Sequence, residues 1–123
     1  MKRILVIEDN DNNMELITFI LEANKYQTLK AETGKKGVAL ALQERPDFII
    51  LDIQLPDISG TGVLKMIRSS EIGDSIPIIA MTSYAMAGDR EKLLAAGCDG
   101  YIEKPIDPAT VMTQIEKIVG GPQ

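Results

Sequence analysis

The sequence predicts a small doubly wound α/β domain, in which a five-stranded parallel sheet is covered by helices on both faces. Five short apolar runs alternate with amphipathic segments along the chain, which is the pattern of repeated βα units. The stronger runs are apolar at consecutive positions, as expected of strands buried on both faces. With 123 residues, the chain is too short for the eight units of a closed barrel, which needs roughly 200 residues or more. The sheet is therefore expected to be open.

The first two units differ in the strength of their strand signals. The apolar run at residues 4–7 is a clear buried strand, and apolar residues at helical spacing mark a helix over about 12–24. A weaker strand over about 26–31 precedes a helix over about 35–44, which Pro46 closes. Each unit is expected to make a right-handed crossover.

The other three strands lie between turn signals. They are predicted over residues 48–51, 78–81 and 101–102. Ser59 is the expected N-cap of the third helix. Asp107 and Pro108 are expected to be the N-cap and the first residue of the last helix, which ends at the glycines that follow residue 119.

The fourth helix has few large apolar residues to hold it. It is predicted over about 85–96, is rich in alanine, and has Leu93 and Leu94 as its large aliphatic anchors. Gly97 is a plausible C-terminal cap. The small apolar face suggests a mobile helix.

Polar and charged residues follow four of the five strands. They are Glu8 and Asp9 after the first strand, Asp52 after the third, Thr82 after the fourth and Lys104 after the fifth. The carboxyl ends of parallel strands meet at one edge of an open sheet, where ligands bind. Each residue alone could be a helix cap, a turn residue or a solvated lysine. Their occurrence together at consecutive strand ends favours a single site.

The residue types at this edge fit phosphoryl chemistry. Three neighbouring carboxylates repel one another unless a cation neutralises them, and an all-oxygen ligand set selects Mg²⁺ or a relative such as Mn²⁺. A carboxylate can attack phosphorus, while a hydroxyl and an ammonium stabilise the oxygens of the transferring group. Asp52, Thr82 and Lys104 supply these three groups.

Composition narrows the function further. The chain has a formal net charge of −5, no histidine and one cysteine, which excludes the usual zinc sites, serine–histidine triads and cysteine–histidine dyads. The acidic charge disfavours nucleic acid, which needs clustered Lys and Arg. No apolar run approaches the ~20 residues of a membrane span, and the N-terminus lacks a secretory leader. We expect a cytoplasmic protein that binds neither nucleic acid nor membrane.

Four ordered sequence blocks resemble the receiver domains of two-component response regulators. The blocks are residues 6–10, 49–60, 80–86 and 97–106. The resemblance covers residues 2–119 and implies a flavodoxin-like three-layer sandwich with strand order 2-1-3-4-5. It also implies one receiver domain over residues 1–119, followed by a short tail at 120–123.

The resemblance implies a catalytic role for each strand-end residue. Asp52 would accept a phosphoryl group from the phosphohistidine of a partner histidine kinase or phosphotransfer protein. Mg²⁺ or Mn²⁺ would be held by Glu8, Asp9, Asp52 and the backbone carbonyl of Gln54. Glu8, where many receivers have aspartate, would act mostly through water or electrostatics. Thr82 and Lys104 would stabilise the bound phosphoryl group.

The resemblance also implies a switch and its output surface. Thr82 and Tyr101 match the family's switch pair, in which the hydroxyl moves to the phosphate and the aromatic ring turns inward. The surface of the fourth helix, fifth strand and fifth helix would then change its protein partners. Gln54 and Tyr84 stand where side chains gate the attacking water, so they would set the lifetime of the phosphate.

The blocks are most similar to those of stand-alone cell-cycle receivers and of hybrid-kinase receivers. We therefore expect a signalling protein rather than an enzyme: a single-domain regulator that is monomeric at rest. A receiver excised from a hybrid histidine kinase is the alternative origin.

Three other functions share parts of the pattern. A small phosphohydrolase of the haloacid-dehalogenase type would form the same aspartyl-phosphate, but Gln54 stands where its general acid should be. An FMN binder would need a phosphate cradle after the first strand instead of two acids. A degenerate receiver used as a constitutive binding module would have lost an acceptor, metal or lysine position, and none is lost here.

Overall fold

Strands and helices alternate along the chain, as the sequence predicts. The computed structural model describes residues 2–70, 73, 75–83 and 87–120, with the backbone alone described at 87–90. In these residues the elements are β1 (Arg3–Ile7), α1 (Asp11–Ala23), β2 (Gln27–Ala31), α2 (Gly34–Glu44), β3 (Phe48–Asp52), α3 (Gly60–Arg68), β4 (Ile78–Thr82), α4 (Ala87–Ala95), β5 (Gly100–Glu103) and α5 (Val111–Val119).

The sheet has the predicted topology. All neighbouring strands are parallel, and their order is β2-β1-β3-β4-β5. Ile7 is paired with Leu51, and Asp52 is paired with Met81. The central strands therefore end at nearly the same level, and the loops that follow them open on one edge of the sheet.

Two apolar cores cover the two faces of the sheet, because successive strand residues point to opposite sides. One core joins Ile4, Val6 and Ile50 to α1 and α5, and the other joins Leu5, Ile49 and Leu51 to α2, α3 and α4. This is the predicted three-layer sandwich. Each fully buried aliphatic side chain contributes about 1.5–3 kcal/mol to folding, so the cores hold the strand ends in place.

The last helix begins later than predicted. Its first residue is Val111, and Thr110 is at the N-cap position without a side-chain cap hydrogen bond. Asp107 instead closes a separate turn: its Oδ1 accepts from the Ala109 amide at 2.9 Å, and its backbone carbonyl accepts from Val111 at 2.9 Å. Asp107 therefore caps the turn that precedes the helix, and Pro108 lies in that turn.

Other boundaries follow the prediction closely. Ser59 Oγ accepts from the Gly62 amide at 3.1 Å and caps α3. Gly97 follows α4 with φ 113°, a left-handed conformation that favours glycine. Leu93 is buried, but Leu94, the second expected anchor of α4, is 50% exposed. The predicted start of this helix at residue 85 lies outside the described residues, and no described helix is long and apolar enough to cross a membrane.

Candidate functional site

The acids at the ends of β1 and β3 form one cluster. Glu8, Asp9 and Asp52 each place a carboxylate oxygen within 4.8 Å of the others. Glu8 follows the last residue of β1 and Asp52 is the last residue of β3, and these two strands are paired neighbours. The predicted meeting of these acids is confirmed.

Lys104 lies against two of the three acids. Its Nζ is 2.9 Å from Glu8 Oε1 and 3.1 Å from Asp52 Oδ2. Glu8 is fully buried and Asp52 is 2% exposed, while Asp9 is exposed to solvent. The second Glu8 oxygen, Oε2, is buried without a hydrogen-bond partner among the described residues. The Lys104 ammonium thus pairs with two buried carboxylates, and among the described residues Glu8 Oε2 is left without a hydrogen-bond partner.

The surroundings of the two buried acids, Glu8 and Asp52, shift their pKa values in opposite directions. Burial, the largest cause, and the neighbouring Asp52 carboxylate together raise the pKa of Glu8 to about 7 against the opposing effect of Lys104. Burial also acts to raise the pKa of Asp52, but Glu8, the Gln54 amide and Lys104 stabilise its charged form, and the net shift is downward. Of the two buried acids, Asp52 is thus the one whose charged form is favoured.

The cluster fits a hard divalent cation. Its donors are all oxygens, the set that Mg²⁺ and Mn²⁺ prefer. Glu8 Oε2, which has no hydrogen-bond partner in the described part of the chain, is a buried acceptor of the kind that requires a proton, a water or an ion beside it. A cation would also relieve the repulsion that raises the pKa of Glu8.

Thr82 and Gln54 border the acid cluster. Thr82 is the last residue of β4 and is buried, and its backbone carbonyl accepts from the Lys104 amide at 2.8 Å. The Gln54 amide donates to Asp52 Oδ1 at 3.0 Å, and its side chain is exposed. Backbone hydrogen bonds therefore connect Gln54 to Asp52 and Thr82 to Lys104.

Tyr101 lies farther along β5, where it is paired with Ala80 of β4. It is half-buried and packs against the core shared by α2, α3 and α4. It also lines a shallow surface groove of about 550 Å³ between α4, β5 and α5. Tyr84, the second residue expected to set the phosphate lifetime, lies outside the described residues.

Two contacts of the site region were not anticipated from the sequence. Asp57, five residues after Asp52, binds backbone amides at the start of α2. Arg68, at the end of α3, donates to the backbone carbonyl of Gly97. The residues next to Asp57 and Arg68 in the sequence do not predict either contact, because the partners are 22 to 29 positions apart.

Comparison with known families decides the class of this site. A family model described as the response regulator receiver domain matches residues 4–116. The chain belongs to the receiver-domain family. This membership confirms the resemblance noted in the sequence.

Relatives of the receiver are similar over nearly their whole length. The polar-differentiation response regulators DivK of Brucella anthropi and Brucella ovis are each 39% identical over 97% of both chains. The receiver domain of a sensor histidine kinase from Pseudomonas aeruginosa is 34% identical with a TM-score of 0.88, covers 98% of both chains, and was crystallised with a magnesium ion in its active-site cleft. The chemotaxis protein CheY4 of Vibrio cholerae, with a TM-score of 0.91 and 24% identity over 96% of this chain and 98% of its own, confirms the fold alone.

Proposed function

We propose that this receiver is a stand-alone phosphorylatable regulator and that Asp52 is its phosphoacceptor. The observation that carries the proposal is the position of Lys104 Nζ, within 3.1 Å of both Glu8 and Asp52. An ammonium beside a buried, charged carboxylate is well placed to stabilise the oxygens of a transferring phosphoryl group. Asp52 combines this neighbour with the lowered pKa that a nucleophile needs.

The transfer is a single displacement at phosphorus. An oxygen of Asp52 forms a bond to the phosphorus of the partner's phosphohistidine, the phosphorus–nitrogen bond breaks, and its electron pair stays on the donor imidazole. Lys104 Nζ and the Thr82 hydroxyl stabilise the phosphoryl oxygens. Glu8, Asp9, Asp52 and the backbone carbonyl of Gln54 would hold Mg²⁺ or Mn²⁺, which neutralises excess negative charge when bound. The chain catalyses this reaction on itself and is a signalling protein rather than a turnover enzyme.

The aspartyl-phosphate would be lost by attack of water. The Gln54 side chain is exposed two residues after the acceptor, which supports a role in limiting the approach of that water. We assign the same role to Tyr84, so that these two residues together set the phosphate lifetime.

Phosphorylation would change the surface formed by α4, β5 and α5, through Thr82 and Tyr101. Tyr101 is half-buried and contributes to the groove of about 550 Å³ on this surface. The exposed Leu94 lines the same groove. A ring that moves inward when the Thr82 hydroxyl moves to the phosphate would reshape the groove and alter its affinity for a downstream protein.

Histidine kinases or histidine phosphotransfer proteins are the phosphoryl donors in this scheme. The resting receiver is a monomer in the cytoplasm, and it contacts neither nucleic acid nor membrane. The receiver would occupy residues 1–119, with 120–123 as a tail. The similarity to DivK response regulators supports the stand-alone form. The similarity to a receiver of a sensor histidine kinase supports the alternative, a domain of a hybrid kinase.

Intact-mass measurement after incubation with acetyl phosphate tests the proposal. We expect one phosphoryl adduct that requires Mg²⁺, is lost on alkaline treatment and is missing in Asp52→Ala. Asp9→Asn serves as a second variant, which keeps the acceptor and weakens the metal site. No adduct in the wild type would contradict the proposal and favour a constitutive binding module. Continuous consumption of the donor without an accumulating adduct would favour a phosphohydrolase.

A further inference from the structure

We infer that Asp57 is a positioning residue for the phosphoacceptor site, because it fastens the loop after Asp52 to the start of α2. This β3–α3 loop comprises residues 53–59. Asp57 Oδ1 accepts from the Gly34 amide at 2.8 Å, and its Oδ2 accepts from the Lys35 amide at 3.0 Å. The inference rests on the proposed function, in which Gln54 of the same loop helps to hold the metal ion.

The attachment is well suited to hold a loop in place. The first amides of a helix have no partner within the helix, and the helix dipole favours negative charge at that end. Both oxygens of Asp57 are used, which fixes the direction of the carboxylate as well as its distance. The helix has its own cap as well, since Thr33 Oγ1 accepts from the Lys36 amide at 3.2 Å. The first amides of α2 thus donate both to a local cap, Thr33, and to Asp57 of a loop distant in the sequence.

The β3–α3 loop and the start of α2 pack closely against each other at Gly34. A Cβ at Gly34 would lie 2.9 Å from Val63 Cγ2 and 3.1 Å from Ile58 Cβ. It would also lie 3.3 Å from Asp57 Oδ1. A side chain at this position would push the loop away from the helix, so glycine is needed for the contact.

The two ends of the β3–α3 loop are held by other bonds. The Ile53 amide donates to the Met81 carbonyl at 3.1 Å, and the Gly60 amide donates to the Ile53 carbonyl at 2.9 Å. Between these ends, Gln54 and Asp57 are exposed. Asp57 therefore fixes the middle of the loop, three residues from the carbonyl assigned to the metal.

A loop that moves freely would hold a metal ligand less well, because residues that orient ligands strongly affect metal affinity. Removal of the Asp57 carboxylate should therefore weaken Mg²⁺ binding, although Asp57 does not belong to the acid cluster. Removal of the Thr33 hydroxyl should not, because that group accepts its hydrogen bond from Lys36 within α2.

Calorimetric titration with Mg²⁺ distinguishes these roles in Asp57→Ala and the matched control Thr33→Ala. We expect Asp57→Ala to raise the Kd for Mg²⁺ roughly tenfold, the lower end of the losses typical for residues that orient metal ligands, and Thr33→Ala to leave it within about twofold of the wild type. Asp57→Asn, which keeps one acceptor oxygen, should fall between them. Unchanged binding in Asp57→Ala, or an equal loss in both variants, would overturn the inference and leave Asp57 as a helix cap.

Hydrogen exchange without metal separates a failure of this inference from a failure of the proposed function. Exchange in residues 53–58 should be faster in Asp57→Ala than in Thr33→Ala and the wild type. Equal exchange in the three proteins would overturn the inference. A wild type that binds no Mg²⁺ would contradict the proposed function, and the exchange comparison would still decide whether Asp57 holds the loop.

Discussion

Helices α3 and α4 have nine residues each and pack on the same face of the sheet, but they are anchored differently. α3 buries Val63, Leu64 and Ile67 completely. In residues 91–95 of α4, Leu93 is the buried side chain and Leu94 is half exposed. The helix that follows Asp52 is thus firmly packed, whereas the described side chains of α4, at residues 91–95, make little apolar contact.

Arg68 connects the two helices. It lies at the end of α3, and its guanidinium donates to the Gly97 carbonyl just after α4, through Nε at 2.9 Å and Nη2 at 2.8 Å. It also donates to Ile76 O at 2.7 Å and to Asp99 Oδ2 at 2.9 Å. The well-packed helix therefore holds the segment that directly follows the C-terminal end of α4.

The largest expected effect is the difference between core truncations in the two helices. Leu64→Ala should lower the free energy of unfolding by about 3–5 kcal/mol, and Leu93→Ala by about 2 kcal/mol, because the cost of a cavity is smaller where the surroundings can collapse. Urea denaturation measures both. Equal losses would show that α4 is as firmly packed as α3.

The next largest effect on the free energy of unfolding concerns the hydrogen bonds from the Arg68 guanidinium to the Gly97 carbonyl, here called the guanidinium bridge. Arg68→Lys keeps the charge but not the planar set of donors, so it should lower the free energy of unfolding by roughly 1–3 kcal/mol. Lys65→Gln, at an exposed position of the same helix, should stay within about 0.5 kcal/mol of the wild type. Exchange at the amides of Cys98 and Asp99 reports the same bridge, and unchanged protection there in Arg68→Lys would contradict its role.

A functional variant separates the chemistry from the response of α4. Thr82→Ala retains Asp52 and Lys104, so it should still form the phosphoryl adduct, while the transmission of phosphorylation to α4 and β5 should be lost. Hydrogen exchange before and after treatment with acetyl phosphate measures this transmission. The same change in exchange in Thr82→Ala and in the wild type would contradict the assignment of Thr82 as the switch.

The smallest expected effect is a pH dependence of the free energy of unfolding that comes from Asp57 in the β3–α3 loop. Hydrogen bonds from the Gly34 and Lys35 amides lower the pKa of Asp57 below its usual 3.8. A carboxyl whose pKa is lower in the folded state stabilises the protein above the unfolded pKa, and the stabilisation is lost as the pH falls through the folded pKa. The stability advantage of the wild type over Asp57→Asn should therefore be present at pH 7 and disappear in acid. Urea denaturation from pH 7 downward checks this, and a constant difference would contradict it.

Most of the fold could be predicted because its signals are local. The consecutive apolar residues of β1, β3 and β4 indicate strands buried on both faces, and their observed bounds differ from the prediction by one residue at most. The acid cluster could be predicted for a related reason. Parallel strands bring their carboxyl ends to one edge, so Glu8 and Asp52 meet although they are 44 positions apart in the sequence.

The rest depended on contacts between distant segments. Pro56 and Asp57 have the sequence of an ordinary turn, and nothing near Asp57 indicates that α2 lies within reach of its carboxylate. Leu94 was expected to be an anchor from its residue type, but its side chain faces the groove on the outer surface. The late start of α5 has a local cause that sequence rules did not resolve, since Asp107 can cap either a helix or a single turn.

The pairing of Glu8 with Lys104 has a consequence for synthesis. These residues are 96 positions apart, so a chain emerging from a ribosome can bring Glu8 and Asp52 together once β3 is made, yet both carboxylates then lack their ammonium. The residue that follows the last strand of the sheet supplies it. A nascent chain that stalls before β5 would carry Asp52 but not its cationic partner, so competence for phosphoryl transfer would be acquired only after β5 and Lys104 have been made.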